Sequence, residues 1–188
     1  MATVIPYNFH AASTEITLKS SATQHNPTLG GPSQRIARMG DRWSYKVDVA
    51  PMRTRQAGPF VTALLAGLSE KVLIEVRQTG VDLTAYSNGT VTGAASGRTL
   101  VHSGGGPTKF VGQFFSVVKN GVRYLHQITA VAGSTLTFLP MLKVGLTGGE
   151  TLEFGSPKLE GFFDGNSQSW TVGRVANLGT SFVVVEAQ

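Results

Sequence analysis

From Lys109 to Phe154 the chain is a succession of short runs rich in β-branched and aromatic residues, KFVGQFFSVV, VRYLHQITAV, STLTFLPML and ETLEF. Glycine-containing turns separate them, and strands at such even spacing predict a small barrel or sandwich. The step from Val118 to Val122 runs through Asn120-Gly121, a pair that supplies the positive φ angles of a two-residue hairpin. One hairpin is marginal in water, so it must belong to a larger sheet.

The first half reads differently. Trp43, Tyr45, Val47 and Val49 alternate with Ser44, Lys46 and Asp48, which marks a strand with one buried face, ended by Pro51. The stretch PFVTALLAGLSEK then places Phe60, Ala63, Leu64 and Leu68 on one helical stripe flanked by Ala66, with Pro59 suited to the first turn. VLIEVR (72–77) is again β-rich, so the helix packs on the sheet beside it. Asn88-Gly89 reads as another turn, and the Gly, Ser and Ala mixture of 93–106 places a domain boundary near Thr92. The closing runs KLEGFF, SQSWTVGRV and TSFVVVEA are too few to fold alone and would complete a sheet begun by the first half.

The expected fold is therefore mainly β: a discontinuous sandwich-like domain of residues 1–92 and 158–188 with one packed α-helix, carrying a small β-barrel inserted at 93–157. At about 65 residues that insertion is near the lower size for independent folding. Segment 20–40 has no periodicity and is expected to be a long loop or arm. No clean internal repeat is present.

Composition narrows what such a body can do. Of 188 residues, 41% are hydrophobic, enough for a core, and the absence of cysteine excludes disulfides, thiolate metal sites and cysteine nucleophiles. Net charge is +5, yet only 14% of residues are charged, against roughly 25% in an ordinary soluble domain. Sparse charge with 23 glycines fits a surface largely covered by other subunits. Arg35, Arg38, Arg42, Arg53 and Arg55 lie in one region and the other basic residues are scattered, a weak pattern for a nucleic-acid reader. No apolar run approaches the roughly 18 residues that span a bilayer, and the start MATVIPYNFHAAS lacks the form of a secretory signal. A soluble protein of the cytoplasm in which it is made is expected.

Catalytic constellations are missing from this reading. HSGGGPTK (102–109) resembles a phosphate loop only superficially, because it leads into a strand rather than a helix, and a flexible turn is expected. His10, His25, His102 and His126 show no metal-ligand spacing, and His126 is expected to be a satisfied, partly buried strand residue. No serine sits in a Gly-x-Ser-x-Gly elbow. Glu150 with Glu153, and Glu160 with Asp164, are the nearest approach to paired acids and read as solvated turn residues. In Phe114-Phe115 and Phe162-Phe163 adjacent side chains face opposite ways, so one of each pair is core and the other a contact to a neighbouring element or subunit. Asn88-Gly89-Thr90 fits a glycosylation sequon but reads as a turn. No catalytic residue, cofactor or metal site is expected.

The segments QRIARMGDRWSYKVDVAPM, GQFFSVVKNGVRYLHQITAV, PML, LEFGSPKLEGFFDG and SWTVGRVANLGTSFVVVEAQ resemble the distal tail proteins of long-tailed bacteriophages, from about Gly30 to the end of the chain. That resemblance implies a tail-tube-like domain closing into a ring, usually of six copies, and an outer inserted barrel. The ring would join the tail tube to the tail tip and let phage DNA pass through its lumen. Implied partners are copies of the chain itself, the tail tube protein and tail hub or tip proteins, with no membrane and no cofactor. The implied location is the virion, after assembly in the bacterial cytoplasm. Arg35, Arg38, Arg42 and Trp43 are the candidate subunit-interface residues. Another tail component, a tube or terminator subunit, is an alternative, as is a carbohydrate-binding module using Phe115 or Tyr124 as its platform.

Overall fold

A computed structural model describes residues 2–6, 11–26, 28, 30–36, 38–78, 80–172 and 177–187. In chain order the elements are β1 (Thr3–Val4), β2 (Ala11–Lys19), β3 (Thr23–His25), β4 (Gln34–Ile36), β5 (Arg42–Arg53), α1 (Thr54–Gly67), β6 (Val72–Glu75), β7 (Asn88–Val91) and β8 (Thr99–Gly104). There follow β9 (Phe114–Lys119), β10 (Val122–Ala132), β11 (Thr135–Leu139), β12 (Thr151–Glu153), β13 (Lys158–Phe163), β14 (Trp170–Val172) and β15 (Asn177–Glu186). The protein is mainly β, with a single helix among the described residues and a closed barrel, as its sequence pattern predicts.

The first sheet has the order β1-β6-β13-β15-β5-β2, with β14 added on β15. Both ends of the chain enter it: β1 pairs parallel to β6, and β15 lies between β13 and β5. Alternation on β5 buries Trp43, Tyr45, Val47 and Val49 on one face, opposite Val184 and Phe182 of β15. α1 covers that face with Ala57, Phe60 and Leu64, and each of the two larger side chains contributes roughly 1.5–3 kcal/mol by its burial. The helix covers this part of the face, and the barrel packs against the same cluster at Trp43 through Phe114 and Leu125.

Four details of this half differ from expectation, the first being that Pro51 does not end β5, which runs on to Arg53. α1 starts at Thr54, so Pro59 stands in its second turn on the exposed side, and Leu68 follows the helix and is exposed. Segment 20–40 is not irregular throughout, because β3 and β4 pair into a two-stranded ribbon. β2 supplies a strand not anticipated at 11–19, with Ile16 and Leu18 opposite Tyr45 and Trp43. At Gly67 any side chain would run into Val72 and Phe163, so glycine permits the close approach of helix to sheet.

The barrel has the order β10-β11-β8-β7-β12-β9, closed by β9 on β10. Its interior is filled by Val91, Leu100, Phe115, Ile128, Phe138 and Phe154 among others. Asn120 and Gly121 have φ of 53° and 77°, the left-handed pair that the hairpin requires. Asn88-Gly89 is not a turn but the start of β7 in the barrel wall, so the barrel begins ahead of the boundary expected near Thr92. A Cβ on Gly89 would press on the Phe154 ring and the Ser103 carbonyl at 3.0 Å, which explains a glycine there without a turn.

Candidate functional site

The barrel and the sheet are joined by a buried polar clasp beside an apolar seam. Phe114 and Leu125 of the barrel belong to the same packed cluster as the sheet's Trp43, and the rings of Trp43 and Phe114 meet edge-on at 5.3 Å. The Glu186 carboxylate accepts from the Trp43 amide and the Leu125 amide, each at 3.2 Å, and pairs with Lys143 at 2.8 Å. Burial pushes the Glu186 pKa up, and Lys143 with the two amides works against that shift. Glu160 extends the join, accepting from the Arg123 amide at 3.1 Å and facing Lys71 at 3.6 Å. Gln78 adds a reciprocal pair with the Phe114 backbone.

These contacts account for the acidic residues singled out above. Glu153 is buried and takes the Ser116 hydroxyl at 2.7 Å, Arg123 at 3.2 Å and Lys158 at 3.3 Å. Desolvation would raise the Glu150 pKa, but Lys119 and the amide and hydroxyl of Thr147 outweigh it and hold the group at about 2. Neither is a solvated turn carboxylate: each is held by several donors of neighbouring strands and turns. Asp164 alone is exposed, opposite Lys19 at 3.8 Å.

His126 is fully buried, more so than expected, with Nδ1 at 2.9 Å from the Pro140 carbonyl and Nε2 without a hydrogen-bond partner. Burial drives its pKa down to about 3, so the ring is neutral at physiological pH and Nδ1 carries the proton it gives to Pro140. It packs against Phe115 and Phe138 and is no general base. No group of three or more His, Cys, Asp or Glu among the described residues could hold a metal ion.

The glycine-rich loop before Lys109 is not a loose turn. Lys109 curls back and donates to the carbonyls of Gly105 at 2.8 Å and Pro107 at 2.7 Å, over the ring of Phe154. Its ammonium is turned inward onto the loop's own carbonyls, and desolvation lowers its pKa. Tyr86 braces the same loop through a bond to the Thr108 carbonyl.

Among the aromatic candidates, Phe115 lies fully inside the barrel and cannot be a sugar platform, while Tyr124 remains partly exposed. Trp43 is also interior, 5% exposed, so this interface candidate instead holds the two halves of the chain together. Arg35 and Arg38 are exposed at the arm and Arg42 is half-buried at its base. Phe162 is half exposed.

Among the described residues, the first sheet leaves exposed a patch at Val4 and Phe162 and the outer edge of β2, while Leu73, Glu160 and Ser44 beside that patch are buried. Register places Val4, Leu73, Glu160, Phe162, Val185 and Ser44 on the face opposite α1. Val4 is 62% and Phe162 50% exposed there, and grooves of about 470 and 800 Å³ meet at Phe162. β2 is an edge strand, so one row of backbone groups along its 9 residues has no strand partner among the described residues. The arm formed by β3 and β4 starts where β2 ends. No protein-family model matches this sequence, and a search of curated proteins finds no match.

Proposed function

We propose that the protein is a structural component of a bacteriophage tail, a distal tail protein whose copies close into a ring, six being the usual number, between tail tube and tail tip. The observation that carries this reading is the long β2 edge without a strand partner among the described residues, together with the exposed patch at Val4 and Phe162, in a chain whose buried Glu153, Glu160 and Glu186 are engaged in holding it together. An unpaired edge of that length is a liability unless a neighbour covers it, and head-to-tail contacts that close supply that cover in every copy. The sequence resemblance selects the tail over other ring assemblies. On this reading tail tube, hub and tip proteins are the neighbours, the lumen passes DNA, the mature location is the virion, and no catalysis is performed.

The clasped barrel fits a role as a fixed outer module, since its shared core with the sheet leaves no flexible tether between the two. Size-exclusion chromatography with light scattering, with and without the tail tube protein, tests the proposal. A discrete ring mass supports it; a monomer under both conditions at all concentrations contradicts it.

A further inference from the structure

The chain's positive charge is unevenly satisfied. Lys19, Lys46, Lys71, Lys119, Lys143 and Lys158 each face a carboxylate, and Lys109 is held by carbonyls. Arg35, Arg38, Arg42, Arg53, Arg55 and Arg98, by contrast, form no ion pair with a described residue, and of these Arg35, Arg42 and Arg98 gather at one place. Arg35 and Arg98 line a cleft of about 500 Å³ between the base of the arm and the barrel, over Leu18 and Leu139. Arg42 lines the adjoining groove, and Ser20 belongs to both walls. The one carboxylate in the cleft, Asp41, is turned to the Ser21 amide at 2.7 Å. Arg35 makes a single long bond, to the Ser20 hydroxyl at 3.4 Å, so most of its guanidinium donors are uncommitted.

We propose that this cleft docks an acidic, extended segment of another protein, with carboxylates taken by Arg35 and Arg98 and apolar side chains by Leu18 and Leu139. A guanidinium fork matches a carboxylate in two parallel hydrogen bonds, which a scattered lysine surface does not offer. The segment is foreign to this chain, because its 11 acidic residues are dispersed and no two are closer than Glu150 and Glu153. A nucleic acid is a poorer occupant: no aromatic side chain lines the cleft on which a base could stack. The inference goes beyond ring formation and holds whatever number of copies assemble.

The test is fluorescence anisotropy of the full chain with a labelled peptide of alternating Glu and Leu, its Gln-for-Glu counterpart, and an oligothymidine of equal charge. The Glu peptide binds wild type, and R35A/R98A weakens it about tenfold or more. The control R53A/R55A removes the same charge at the far end of β5 and in the first turn of α1 that follows, roughly 35 Å from Arg42 along the strand, and changes binding by less than about twofold. Equal weakening in both double variants, equal affinity for the Gln peptide, oligothymidine binding as tight as the Glu peptide, or no binding by wild type would each overturn the proposal.

Discussion

The indole Nε1 of Trp43 donates to the backbone carbonyl of Leu125 at 2.9 Å, joining β5 of the first sheet to β10, the longest strand of the barrel. This bond sits in the apolar seam, out of water, where an unpaired carbonyl is costly.

Replacing Trp43 with Phe keeps most of the buried area and removes the donor. A loss of about 1–3 kcal/mol is expected in urea unfolding monitored by circular dichroism. Trp43→Ala adds a cavity and is expected to cost about 3–5 kcal/mol.

Glu186 and Lys143 form a nearly buried pair, so removing one partner strands the other. Lys143→Met leaves the carboxylate uncompensated and is expected to destabilise by about 3 kcal/mol in the same assay. The double variant K143M/E186Q is expected to recover part of that loss, since the Gln carbonyl still accepts from an amide of Trp43 or Leu125.

His126 makes stability depend on pH in a definite direction. Its folded pKa, about 3, lies below the unfolded value of 6.5, so the unfolded chain binds more protons as pH falls below that value. Stability is therefore full above pH 6.5 and declines at about 1.4 kcal/mol per pH unit below it, until the pH approaches 3. Glu150 adds a loss in the same sense below its unfolded value of 4.5 as pH falls toward 2. Glu186, with a raised folded pKa, acts oppositely: its contribution is present at low pH and is lost as pH rises through that pKa. Urea midpoints at pH 7, 6 and 5 check this, and His126→Gln is expected to flatten the slope between them.

Gly161 lies where β13 meets β15, and a Cβ there would collide with the Val185 carbonyl. Gly161→Ala is expected to cost about 1–3 kcal/mol, read as a lowered urea midpoint, because the contact is with backbone in mid-sheet and not with a side chain that can swing away.

Much of the fold could be read from residue patterns, and the reasons for the failures are physical. β5 shows apolar alternation along Trp43–Val49 because one face is buried there, whereas β6 and β9 are continuous apolar runs because both of their faces are covered. β2 was harder to see, since an edge strand buries little and only Ile16 and Leu18 interrupt its polar run. Asn88-Gly89 carries the residues of a turn but sits in a strand, where the missing side chain makes room for Phe154. The clasp was invisible: Glu186 meets Leu125 and Trp43 from 61 and 143 positions away, and no local spacing encodes such a meeting. The interface candidates divide for the same reason, with Trp43 drawn into the core by the barrel while Arg35 and Arg38 stay outside.

The most direct measurement is a cryo-electron microscopy map of the protein assembled with its tail tube partner, read at the outer edge of β2. The account predicts a closed ring in which Ala11–Lys19 of every copy is covered by the next. A well-resolved particle with that strand facing solvent in all copies would contradict it.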